Sequence, residues 1–162
     1  MNCVSCGHAM NTRRENYQYT ASGLPHVTLV GVEVSRCPRC GETEVAIPRI
    51  EDLHRAIART LIEQRARLIA PEIRFLRKHL GWSGVDFAAH MGATPETVSR
   101  WEKGAVPLGA ASDRLLRLMV ASKTPGRDYS LATLKDIDEA RRTKPVPVGF
   151  RVRRDGWRAA AA

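Results

Sequence analysis

The stretch Ser83-Gly84-Val85-Asp86-Phe87-Ala88-Ala89-His90-Met91-Gly92-Ala93-Thr94-Pro95-Glu96-Thr97-Val98-Ser99-Arg100-Trp101-Glu102-Lys103-Gly104 reads as two short helices around a tight turn. Ser83 followed by Asp86 makes a capping-box-like start for a helix to Met91. Gly92 breaks that helix. Thr94 caps the next, and Pro95 takes its first position. The second helix runs to Lys103 and stops at Gly104. Ala88, four residues before Gly92, is small where two helices cross closely. Val98, six residues after it, fills their shared core with Phe87, Met91 and Trp101. In this pattern Trp101 is a packing residue rather than a base stacker. Two short helices joined by a glycine-containing turn make a helix-turn-helix.

Further helices flank this pair. Pro71 to Leu80 places Ile73, Leu76 and Leu80 on one face. Gly109 to Lys123 carries Leu115, Leu116, Leu118, Met119 and Val120. Ser130 is positioned to cap a last helix with Leu131, Leu134 and Ile137. Residues 71–142 are therefore expected to form an all-α domain of five helices. Upstream, residues 48–70 read as an amphipathic linker helix. Pro48 suits its first position, and Ile50, Leu53, Ile57, Leu61 and Leu68 recur at spacings near three and four. That helix either packs on its own domains or serves a partner.

The four cysteines stand at 3, 6, 37 and 40. Each pair is Cys-x-x-Cys-Gly: Cys3-Val4-Ser5-Cys6-Gly7 and Cys37-Pro38-Arg39-Cys40-Gly41. Two intervening residues let one turn offer both sulfurs to a single ion, and the glycine tolerates positive φ just beyond. Two such knuckles complete a sulfur tetrahedron of bonds near ~2.3 Å, which suits a structural Zn²⁺, one per chain. Rubredoxin-like iron uses similar knuckles and is the weaker reading. A zinc deaminase needs His-x-Glu upstream of the second pair, and neither His8 nor His26 provides it. Between the knuckles Tyr17–Thr20 alternates, Ala21–Pro25 carries turn residues, and Val27–Ser35 is β-branched. Residues 1–47 are thus expected to be a small zinc ribbon built on a β-hairpin. With so little core, the metal must supply much of its folding energy. The fold class is α+β in two domains.

Composition is that of a globular chain: 162 residues, 43% hydrophobic and 27% charged, which excludes wholesale disorder. No segment approaches the ~18 apolar residues of a membrane span, and no secretory signal is visible. A cytoplasmic location is the expectation. The net charge of +9 points to an anionic partner, nucleic acid above all. Much of the excess lies in Arg141, Arg142, Lys144, Arg151, Arg153, Arg154 and Arg158. Residues 143–162, with Pro145, Pro147, Gly149 and Gly156, show no periodicity and are expected to be a disordered basic tail. It either tracks phosphates without sequence choice or merely solubilises. No general base, nucleophile or open metal position is visible, so an enzyme is not expected.

Pro71 to Gly104 resembles the Cro/lambda-repressor (Xre) family, most specifically at Thr97-Val98-Ser99-Arg100-Trp101-Glu102-Lys103-Gly104. The resemblance implies that the helix after the turn enters the major groove of double-stranded DNA. Thr94, Pro95, Glu96, Thr97, Ser99 and Arg100 would face the DNA, with Ser83, Gly84 and Lys103 near phosphates. Arg100 can fork onto guanine, and Glu96 can accept from cytosine N4. The family's structural salt link would fall on Arg77 and Glu102. Members usually carry Gln after the position of Ser83. Gly84 stands there instead, leaving only backbone N–H groups to hold a phosphate.

Taken over about residues 1–140, two Cys-x-x-Cys-Gly knuckles, a helix and an Xre-type domain resemble the MqsA (YgiT-type) antitoxin family. The resemblance implies a homodimeric, sequence-specific transcriptional regulator that represses its own operon and binds a toxin through its zinc domain. The alternatives are a protein-interaction module without sequence-specific DNA binding, or a stand-alone regulator without a toxin.

Overall fold

The computed structural model describes residues 1–124, 128–140, 142 and 144–161. Arg141 of the basic segment, with Thr143 and Ala162, lies outside the described residues. The protein is a mixed α+β structure with an N-terminal hairpin sheet followed by helices.

Strand β1 (Asn11–Gln18) pairs antiparallel with β2 (Val27–Arg36), from Asn11 opposite Arg36 to Gln18 opposite Thr28. The register slips between Glu15 and Tyr17. The bulge is filled by Asn16, whose Oδ1 accepts the N–H of Gly31 at 3.1 Å. Gly31 has φ +66, a conformation that side chains resist. Short β3 (Thr43–Val45) pairs with the end of β2. The expected ribbon hairpin is therefore present.

Helix α1 (Ile50–Glu63) buries Leu53, Ile57, Ala58, Leu61 and Ile62. It packs on the sheet and on later helices, so the apolar face serves the protein's own core. The helix is shorter than the expected 48–70. Its start is set by Arg49, which takes the left-handed conformation at φ 50 and leaves Pro48 ahead of the helix. Its end is set by Arg117. That fully buried guanidinium collects the carbonyls of Ile62, Gln64 and Ala66 at 2.6 to 3.1 Å. These carbonyls are thereby withdrawn from helical pairing, and the chain runs extended from Gln64 to α2. Asp113 neutralises Arg117 at 2.6 Å and also accepts the Leu68 N–H.

The helices that follow are α2 (Ala70–His79), α3 (Gly84–Met91), α4 (Pro95–Glu102) and α5 (Ala110–Ser122). The last expected helix is reduced to one turn, α6 (Ala132–Lys135). Leu131, expected to pack, is 67% exposed. The chain beyond this turn instead bridges to the extended segment, where Asp138 donates its N–H to the Arg65 carbonyl at 2.7 Å. Buried Ile137 is the one apolar side chain of this segment driven fully inward.

The tail is the largest departure. Residues expected to be disordered form β4 (Val148–Arg153) and β5 (Gly156–Ala160), an antiparallel hairpin. Strand β4 adds parallel to the start of β2, with Val27, Thr28 and Leu29 opposite Val148, Gly149 and Phe150. Phe150 and Trp157 are 0% and 4% exposed. Burying two aromatic side chains offsets the ordering entropy that the prolines and arginines suggested could not be met. One cluster of buried side chains now runs from Leu24, Val27 and Leu29 of the ribbon side through α1 to Phe87, Val98 and Leu116.

Arg142 strengthens the same closure. It donates to the Arg67 carbonyl at 2.7 Å and to Glu72 at 3.0 Å. Glu72 is wholly buried, accepts the Ile69 N–H at 3.0 Å, and lies 3.5 Å from His26 Nε2. Sheet, α2 and C-terminal segment thus meet at one carboxylate.

Candidate metal centre and helix pair

The two knuckles are built alike. The N–H of Gly7 donates to the Cys3 carbonyl at 2.9 Å, and that of Gly41 to the Cys37 carbonyl at 3.0 Å. The N–H of Cys3 donates to the His8 carbonyl and that of Cys37 to the Glu42 carbonyl. Gly7 and Gly41 have φ +71 and +78, which explains the glycine after each pair.

The knuckles bring Cys3, Cys6, Cys37 and Cys40 together, with every sulfur within 4.8 Å of the others. Cys3 faces Cys40 and Cys6 faces Cys37, each at 3.5 Å. A tetrahedral site with ~2.3 Å metal–sulfur bonds has sulfur–sulfur edges of roughly 3.8 Å, so the donor set fits a single ion. Backbone N–H groups of Cys40 and Arg39 hold the Cys37 thiol down to about 6. Cys40 accepts from the Glu42 N–H, yet its hydrogen bonds with Cys3 and Cys6 push it up to about 12. Four adjacent thiolates repel one another, and a divalent cation at their centre removes that penalty. His8 is exposed, outside the cluster, as its redundancy beside four sulfurs implies.

The helix pair also follows its sequence. Ser83 and Asp86 form a reciprocal capping box, with the Asp86 N–H donating to Ser83 Oγ and the Ser83 N–H to Asp86 Oδ2, each at 3.1 Å. The Ser83 hydroxyl donates to the same carboxylate at 2.7 Å. These bonds hold the Asp86 carboxyl below its ordinary range. They also commit the hydroxyl that sequence reasoning had placed near a phosphate. Gly92 ends α3 at φ +63, and Thr94 Oγ1 accepts the Thr97 N–H at 3.2 Å. Phe87, Ala88, Met91, Val98 and Trp101 are buried between the helices. Trp101 meets Phe87 edge-on at 6.4 Å, in the packing role expected of it.

Thr94, Pro95, Glu96, Arg100 and Lys103 are exposed, and Thr97 and Ser99 are half-buried. Ser83, Gly84, Pro95, Ser99 and Lys103 line one groove of about 260 Å³. Arg74 lines it too, a residue sequence reasoning missed. Its position on the outer face of α2 carried no motif, and only the crossing of α2 over α4 brings it there. The expected link between Arg77 and Glu102 is present as a two-pronged bridge, its Nη2–Oε2 arm 3.2 Å long. Arg74 adds a bond to the Glu102 carbonyl at 2.9 Å. Glu102 is thereby neutralised, leaving Arg100 and Lys103 against Glu96 on the open face of α4.

The chain thus joins a four-cysteine cluster able to hold a metal ion to a capped, tightly packed helix pair. A family model described as the antitoxin component of a bacterial toxin-antitoxin system matches residues 1–125. The chain belongs to that family, the MqsA antitoxins. No curated protein matches it. The matched region contains the four-cysteine cluster and the helix pair but ends before β4 and β5. Among the described residues, no helix is long and apolar enough to cross a membrane.

Proposed function

We propose that this antitoxin is a zinc-stabilised, dimeric repressor that reads double-stranded DNA with α4 and acts in the cytoplasm. The observation that carries the reading is the exposed row Thr94, Pro95, Glu96 and Arg100 on a helix whose other side is pinned by Val98 and Trp101. A rigid helix that presents polar groups at its N-terminal end is what major-groove readout requires. Thr97 and Ser99 flank that row. Arg100 is the residue assigned to a guanine edge. Gly84, at the first turn of α3, offers backbone N–H groups to a phosphate, and Lys103 adds a charge. The Ser83 hydroxyl caps α3, accepting the Asp86 N–H and donating to its carboxylate, and so fixes the helix start beside that phosphate.

Zinc is assigned because a tetrahedron of cysteine sulfurs suits it, and the closed site, with no position for water or substrate, makes its role structural. Its role is to hold the ribbon together. The dimer is assigned to α5, where Ala111, Leu115, Leu118 and Ser122 are exposed at helical spacing. Leu115 and Leu118 are 38% and 37% exposed, an apolar stripe that a second copy would cover. The toxin partner follows from family membership, with the ribbon as its docking domain. The α2–α5 region is read as the Xre-type unit, its fifth helix cut to one turn.

The test is binding to DNA upstream of the protein's own gene. Arg100→Ala should abolish preference for one site while leaving the fold intact. Equal binding by both proteins contradicts the reading.

A further inference from the structure

The hairpin β4–β5 lies beyond the residues that define the family, yet it is firmly seated. Phe150 and Trp157 anchor it to the core, and its turn is clamped by Arg49, whose Nη2 donates to the Arg153 carbonyl at 2.7 Å. Its outer surface is made of arginine. Arg151 lies directly opposite Arg158, and Arg153 and Arg154 follow at the turn, all exposed. Like charges directly opposite one another across a sheet are destabilising, so nothing in the fold itself favours this placement. Arg158 is paired with Asp155, the one acid of the hairpin. Among the described residues, Arg151, Arg153 and Arg154 have no carboxylate within 4.0 Å.

We propose that this hairpin is a sequence-independent contact for the phosphodiester backbone of double-stranded DNA, added to the reading head in α4. The proposal rests on the DNA-binding reading of the chain and extends it to a second surface. Planar guanidinium forks suit phosphate oxygens, and alternate residues of one strand repeat about every 6.8 Å on one face. The hairpin's aromatic side chains are buried, so it offers no apolar anchor for a protein hot spot or a lipid surface. A face of unpaired charge without apolar anchors is suited to a polyanion.

The experiment compares wild type, Arg100→Ala, the triple variant R151Q/R153Q/R154Q and the charge-keeping triple variant R151K/R153K/R154K. Each binds an upstream duplex and an unrelated duplex across a salt series. These side chains are exposed, and the NMR signal of the Trp157 indole N–H, bonded to the Pro48 carbonyl, reports whether the hairpin stays docked. The glutamine variant should lose affinity for both duplexes alike, and its salt slope should fall by about 2.7, from ~0.9 per phosphate contact. The lysine variant should keep most of the slope. Glutamine and wild-type proteins with the same slope on the unrelated duplex overturn the hairpin contact. Arg100→Ala with undiminished site preference overturns only the α4 reading, because the unrelated duplex still reports the hairpin. A glutamine variant with docked Trp157 that loses only the upstream site would also overturn the proposal, since the contact would then be sequence-specific.

Discussion

The indole Nε1 of Trp157 donates to the carbonyl of Pro48 at 2.8 Å, joining the C-terminal hairpin to the entrance of α1 across 109 residues of chain. The same entrance holds Arg49 in the left-handed conformation, from which it reaches the carbonyls of Arg153 and Arg154. The end of the chain is therefore part of the core that α1 and the sheet share.

Trp157→Ala should cost about 3–5 kcal/mol, the range for emptying a buried aromatic site. Chemical denaturation of the metal-loaded protein measures it. A loss within about 0.5 kcal/mol, as at an ordinary surface position, would show that the hairpin is not docked.

Cys37→Ser should abolish stoichiometric metal and loosen the two knuckles, while the helices, whose core continues into the sheet, keep their signal. Metal content by elemental analysis and circular dichroism check the two halves. A serine variant that retains one metal per chain contradicts a four-sulfur site.

Acid should weaken the fold through His54 and His79. Burial lowers both below the ordinary 6.5, and for His79 the charges of His54 and Arg55 act in the same sense. Tyr19 contacts His54 through its hydroxyl at 3.0 Å, and Phe75 lies between the two imidazoles. Below pH 6.5 the unfolded chain binds these protons and the folded chain resists them. Their stabilisation is thus present above 6.5 and lost as pH falls toward the lower folded values. Acid also releases metal from thiolates, so the measurement is the difference in Tm slope between wild type and H54Q/H79Q. The variant should show the shallower fall from pH 7.5 to 5.5. Identical slopes would show that these histidines do not carry the acid sensitivity.

Leu115→Glu with Leu118→Glu should convert the proposed dimer to a monomer without unfolding it, because both side chains are already partly exposed. Analytical ultracentrifugation decides. A dimer that survives both charges would place the interface elsewhere.

The legible parts of this sequence were those where one residue type has one use. Glycine after each Cys-x-x-Cys pair, Gly92 between two capped helices, and Thr94-Pro95 at a helix start each answered a backbone requirement, and the structure uses them so. The Arg77–Glu102 bridge was legible only through family resemblance. The tail was misread although Val148, Phe150 and Val152 alternate with polar residues and Asp155-Gly156 marks a turn, which together are a hairpin signal. Pro145, Pro147 and the run of arginines masked it. What secures the hairpin is the free edge of β2, far away in sequence. The early end of α1 was invisible for the same reason, since the arginine that takes its carbonyls lies more than fifty residues on. The pairing of Ser83 with Asp86 was legible as a capping box, and the structure shows it.

The decisive measurement is the equilibrium binding of purified, metal-loaded protein to its own upstream DNA, wild type against Arg100→Ala, at fixed salt. Wild type should occupy one preferred site. The substitution should cost about 1–3 kcal/mol there, leaving affinity for unrelated DNA unchanged. Wild type and variant that bind every duplex alike would contradict α4 as the reading helix and leave only charge attraction.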